Sequence, residues 1–136
     1  MTKIRKPKPV LWGVDEADDV GRAVHSYIAT LPAYCADNHQ VLMRFLSMYS
    51  ASKDTYQTYR RELERWVQWC WLVRQVDMLQ ALRDDVLAFL AFCKSPPHHW
   101  IGHKLSARFL NGDFHPDWHL FVIRKKTGKS TLQQYQ

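Results

Sequence analysis

Apolar and polar positions alternate with helical spacing through the middle of this chain. Val41, Leu42, Phe45, Leu46 and Tyr49 fall on one helix face, which predicts a helix from about His39 to about Ser50. A stronger pattern follows in 52–71, SKDTYQTYRRELERWVQWCW. At about 3.6 residues per turn, Tyr56, Tyr59, Leu63, Trp66, Val67 and Cys70 project onto one side. Lys53, Gln57, Arg60, Arg61, Glu64 and Gln68 project onto the other, with Trp69 and Trp71 flanking the stripe. Ser52 is a suitable N-cap, Asp54 suits the positive end of the helix dipole, and the helix should reach Leu72 or Val73. A third helix is expected over Arg83–Lys94, with Val86, Phe89, Leu90 and Cys93 as its apolar face and Pro96-Pro97 beyond its end. The connector Met78–Leu82 should pack inward.

The flanks are less regular. Residues 1–20 mix charge with Pro7 and Pro9 and read as a tail; a weak helix is expected from Val20 to Ala29, stopping near Pro32. Together 1–36 read as an N-terminal arm and 37–136 as the principal domain. Within it, about 96–124 form a long irregular insertion, with turn signals at Asn111-Gly112-Asp113 and His115-Pro116-Asp117 and a short helix at Lys104–Leu110. Trp100 and Trp118 should pin this insertion to the helices. Ser130-Thr131-Leu132-Gln133-Gln134-Tyr135 repeats the chemistry of the 52–59 helix start and reads as a further helix cut short, so a longer parent protein is expected. The fold class predicted is all-α, a small orthogonal bundle of about four main helices whose last is truncated.

Charge changes the picture. The 136 residues carry a net charge of +6, unevenly spread. Lys3, Arg5, Lys6 and Lys8 make the start basic; Asp15, Glu16, Asp18, Asp19 and Asp37 follow; Arg124, Lys125, Lys126 and Lys129 form a second basic block. Clustered Lys and Arg suit a polyanion such as nucleic acid, although a solvated basic surface has the same composition. No apolar run approaches the roughly 18 residues of a membrane span, and no signal-peptide core follows the basic start, so a cytoplasmic protein is expected. The three cysteines are odd in number and widely spaced, without a CxxC, so neither a disulfide framework nor a cysteine zinc site is indicated. Cys93, His98, His99 and His103 are neighbours in sequence, and His115 and His119 are four apart, but Pro116 interrupts a helical pair, so no metal is expected. The acids sit singly on helix faces or in the acidic N-terminal stretch, so paired-carboxylate or triad catalysis is not expected, and no cofactor is implied.

The order Ser52, Thr55, Tyr59, Leu63, Trp66, Trp69, followed by Leu82, Asp85, Phe89 and Leu90, resembles the N-terminal SAM-like, or core-binding, domain of tyrosine recombinases and phage integrases. The family helix reads S-x-x-T-x-x-x-Y-x-x-x-L-x-x-F-x-x-W, with Trp66 here in place of Phe. The resemblance is concentrated in about 50 residues and touches the last dozen weakly. It implies a helical domain that grips one face of double-stranded DNA for site-specific integration or recombination of a mobile element. Copies of the full-length recombinase would assemble on the DNA, while the fragment alone would be monomeric. The nucleophilic tyrosine belongs to a separate domain, so no residue of this chain is expected to be catalytic. The candidate DNA contacts are Lys53, Thr55, Tyr56, Gln57, Arg60 and Arg61 on one helix, and Lys125, Lys126, Lys129, Ser130 and Thr131 near the C-terminus. Long cationic donors suit phosphates, Arg and Gln also suit base edges, and a helix N-terminus favours an anion. A helical DNA-binding regulator or a protein-interaction module, neither with a recombination role, is the alternative.

Overall fold

The computed structural model describes residues 4–13 and 15–123. Four α-helices carry it: α1 (Val20–Ile28), α2 (Ala33–Ser47), α3 (Lys53–Trp69) and α4 (Arg83–Lys94). The chain is therefore mostly helical, with four two-residue strands added: β1 (Ile101–Gly102), β2 (Phe109–Leu110), β3 (Asp113–Phe114) and β4 (Phe121–Val122). No helix among the described residues is long and apolar enough to cross a membrane. The segment from Arg124 to Gln136, including Lys125, Lys126, Lys129, Ser130 and Thr131 and the expected further helix, lies outside the described residues.

Helix α2 starts directly after Pro32, well before His39, because its first turns already bury Cys35 and Asn38. Asn38 is a polar hub. Its Oδ1 accepts the Trp71 indole N–H at 3.1 Å and the Met78 N–H at 3.0 Å, and its amide donates to Asp77 at 2.7 Å. Helix α3 runs on through a π turn, Cys70–Arg74, and stops at Gln75, whose φ of 58° is left-handed. At the other end Ser52 does not cap the backbone; its hydroxyl donates to Thr55 Oγ1 at 3.0 Å. Helix α4 keeps its predicted bounds, and its first turn is closed by Asp85, which accepts the Leu82 N–H at 2.8 Å and the Arg74 guanidinium at 2.8 Å.

Not every predicted apolar face points inward. Phe89 packs against stacked Trp66 and Trp69. Val86 and Leu90 are 42% and 53% exposed, and Leu79 and Leu82 of the connector are also exposed. The reason is geometric: α4 buries its Phe89–Phe92–Cys93 side against the rest, and only half of a helix can face one neighbour.

The expected tail is instead core. Residues 6–12 run extended, with Pro7, Pro9, Val10 and Leu11 buried. The prolines have no N–H to satisfy, which lowers the polar cost of burying extended chain. Of the remaining groups, the Val10 and Leu11 N–H donate to Glu64 at 2.8 and 2.9 Å. The Lys8 carbonyl accepts from Gln68 at 2.6 Å, the Val10 carbonyl from His39 at 2.7 Å and the Arg5 carbonyl from Trp100 at 3.1 Å. The arm therefore lies along the side of α3 expected to face water, and it reaches the insertion at Trp100.

Burial holds the His39 imidazole below its ordinary value of 6.5, with His25 adding to the effect against the Val10 carbonyl and Glu64. A depressed histidine contributes stability that is complete above the ordinary value and declines as pH falls from there toward the folded-state value. Urea unfolding between about pH 7.5 and pH 5 should thus show a loss of stability on acidification that is smaller in His39→Gln. Equal slopes in both proteins would exclude His39 as the source.

The insertion has more order than its sequence suggests. No helix forms at Lys104–Leu110. Instead β2 and β3 pair antiparallel, Phe109 opposite Phe114, around Asn111-Gly112. Both turn residues have positive φ, 53° and 79°, the requirement of a tight hairpin turn that Asn-Gly meets well. Strands β1 and β4 pair in parallel, Ile101 with Phe121 and Gly102 with Val122. Trp100 and Trp118 are both buried, as expected of residues that pin this lobe to the helices.

Candidate nucleic-acid interface

Helix α3 is covered on both sides, so its free surface is narrower than the helical projection implies. Glu64 and Gln68 face the arm, not solvent. Glu64 receives a two-pronged guanidinium: Arg108 Nη1 donates to its Oε1, and Nη2 donates to its Oε2 at 2.8 Å. Arg108 also donates to the Leu11 carbonyl and, through Nε, to Glu16 at 3.3 Å. Burial alone would disfavour the charged Arg108, but Glu64 and Glu16 outweigh it and hold the guanidinium above its ordinary value. The Glu16 carboxyl is shifted upward: burial dominates, although Arg108 and Arg60 pull the other way.

This network removes Arg60 from the candidate set. Its Nη1 donates to Asp15 at 2.9 Å and Glu16 at 3.0 Å, and its side chain is only 12% exposed. The acidic stretch that follows the arm neutralises it. Tyr56 is removed too: it is buried with its ring against the backbone at Gly13, where an added Cβ would come within 2.3 Å of the phenolic oxygen. Tyr59, expected in the core, is instead 38% exposed at the edge of a cluster with Phe45 and Tyr49.

What stays open is one ridge. Lys53 and Arg61 are exposed and Gln57 is half-buried, at positions i, i+8 and i+4 along α3. Eight residues of helix rise about 12 Å, so these donors form a line across two turns. Among the described residues Arg61 pairs only with Glu62, at 3.1 Å, with both side chains 55% exposed. Such a surface pair is worth roughly 0–1 kcal/mol and yields readily to an anion. Arg65, one turn further, is not free: its Nε donates to the Leu120 carbonyl at 3.5 Å and its guanidinium lies 4.6 Å from the centre of the Phe121 ring. Half-buried Thr55 sits at the head of the ridge, where the first-turn N–H groups receive no side-chain cap. Arg108 and the arm were not foreseen as partners of this helix; the adjoining Val10-Leu11-Trp12 triplet was the signal available.

Among the described residues, no three His, Cys, Asp or Glu side chains are grouped to hold a metal ion. The three cysteines are free thiols; burial pushes Cys35 up to about 11 and Cys70 up to about 12, which makes both poor nucleophiles. No family model, no curated protein and no solved structure matches the chain.

Proposed function

We propose that this chain is a double-stranded DNA-binding module of the SAM-like, core-binding type found in tyrosine recombinases, serving integration or recombination of a mobile element. The observation that carries the reading is the α3 ridge: Lys53, Gln57 and Arg61 in line on the helix that also bears the Ser52, Thr55, Tyr59, Leu63, Trp66, Trp69 series. Cationic and amide donors at helical spacing suit a run of phosphates and the adjoining groove. No residue of this chain is assigned a catalytic role; the module would position a duplex for strand exchange performed by a separate domain. Arg60, now a structural ion-pair partner, and buried Tyr56 are not part of the proposed contact.

The test is a fluorescence-anisotropy titration of a mixed-sequence duplex at several salt concentrations. The parent should bind, and Lys53→Gln with Arg61→Gln should flatten the slope of log affinity against log salt by about two, since each lost phosphate contact removes about 0.9. An unchanged slope would remove the ridge from the interface, and absence of binding at low salt would reject the reading. One observation favours the alternative of a protein-interaction module: Leu82, just before α4, and Val86, Leu87 and Leu90 on it leave a row of exposed apolar side chains.

A further inference from the structure

Three imidazoles of the 101–123 lobe line one cleft of about 650 Å³, together with Lys104, Ser106 and Asp117. Each ring is fixed through Nδ1. In His103 this nitrogen lies 3.0 Å from the Ile123 carbonyl, and in His119 2.9 Å from the Asp117 carbonyl, contacts that require an Nδ1–H donor. His115 Nδ1 instead accepts the Asp117 N–H at 3.1 Å and sits 3.2 Å from the Ser106 hydroxyl. None of the three Nε2 atoms has a hydrogen-bond partner among the described residues. Glycine at 102 is what admits His119: a Cβ there would stand 2.6 Å from its Nδ1.

The surroundings are cationic. Lys6 crosses from the arm, its Nζ donating to the Pro116 carbonyl at 3.3 Å, and Lys104 is exposed at the cleft itself. An adjoining cleft shares His115 and brings Lys6, Lys8 and Asp113 to its edge. Among the described residues Asp117 is the one carboxylate lining the histidine cleft. Burial, Lys6 and His103 all disfavour the charged form of His119, against the Asp117 backbone and carboxylate. An anion seated among the rings would reverse that balance, since two protonated imidazoles and two ammonium groups would then share a counter-charge.

We propose that this histidine–lysine cleft holds a phosphate of the DNA backbone and grips it more tightly as the imidazoles take up protons. The inference rests on the duplex-binding reading and adds to it a second contact, remote in sequence from the α3 ridge, that responds to pH. Lys6 and Lys104 and the absence of a three-ligand group make the cleft unsuited to a metal cation.

The decisive experiment compares duplex binding at about pH 6 and about pH 8 for the parent and for His103→Gln/His115→Gln/His119→Gln, with the fold checked by circular dichroism. The parent should gain about tenfold in affinity at the lower pH, with a salt slope steeper by about one to two. The triple variant should match the parent at the higher pH and lose the gain. A variant that gains as much as the parent overturns the proposal while leaving the α3 reading intact. If the triple variant does not fold, imidazole resonances of the parent decide: movement of the His103 and His119 signals on adding duplex supports the cleft, and stationary signals overturn it. Failure of the parent to bind duplex at either pH rejects the DNA reading separately. Inorganic phosphate then serves as the probe, with saturable imidazole shifts supporting an anion site and none overturning it.

Discussion

Deleting residues 1–11 should abolish the cooperative thermal transition. The deletion takes away Val10 and Leu11, both fully buried, each contributing about 1.5–3 kcal/mol of apolar burial. It also strips partners from groups that stay inside. Glu64 loses two backbone donors, Gln68 and Trp100 each lose a carbonyl, and His39 loses the Val10 carbonyl. An orphaned buried polar group costs about 1–3 kcal/mol, and a domain has only about 5–15 kcal/mol in total. Together these losses are as large as the whole stability of an ordinary domain. Calorimetry and near-ultraviolet circular dichroism, which reports the packed tryptophans, should both lose their native signals. A truncated chain melting within a few degrees of the parent would show that the arm is an appendage after all.

Arg108→Met should lower the unfolding free energy by about 3–5 kcal/mol, the usual consequence of removing one partner of a buried ion pair. Glu64 would then keep its Val10 and Leu11 donors but lose its two guanidinium bonds at a site 1% exposed. Arg108→Lys should fall between, because an ammonium restores charge without the planar fork that reaches Glu64, Glu16 and the Leu11 carbonyl together. Urea unfolding monitored by tryptophan fluorescence gives both values. A loss below about 1 kcal/mol for Arg108→Met would place the pair among weak surface contacts.

The helices were legible where one face alone is buried. Helix α4 has its predicted ends, α1 departs by one residue, and α3 begins directly after Ser52. The Asn111-Gly112 turn was also legible, because backbone stereochemistry restricts that dipeptide locally. What escaped was everything requiring a distant partner. A helical projection marks Glu64 and Gln68 as polar and therefore exposed; it holds no information that an extended arm covers them. Arg60 reads as a free cation until Asp15 and Glu16, about 45 residues earlier, are placed beside it. Arg108 had no local signal at all, since its carboxylate partners lie 44 and 92 residues away. The candidate site shrank for this reason: on α3, the donors that remain are those no remote segment claims.

The arm's placement also sets an order of events during synthesis. It is made ahead of the partners that hold it: the Trp100 indole that bonds the Arg5 carbonyl follows 95 residues later and the Arg108 guanidinium that bonds the Leu11 carbonyl 97 residues later. At about 5–20 residues per second, that is roughly 5–20 seconds during which the native cover of the arm is incomplete, His39 and Glu64 arriving before Trp100 and Arg108. Seating of the arm is thus completed only when the 101–123 lobe is made, and a nascent chain halted before that lobe emerges should leave part of this apolar segment exposed to chaperones.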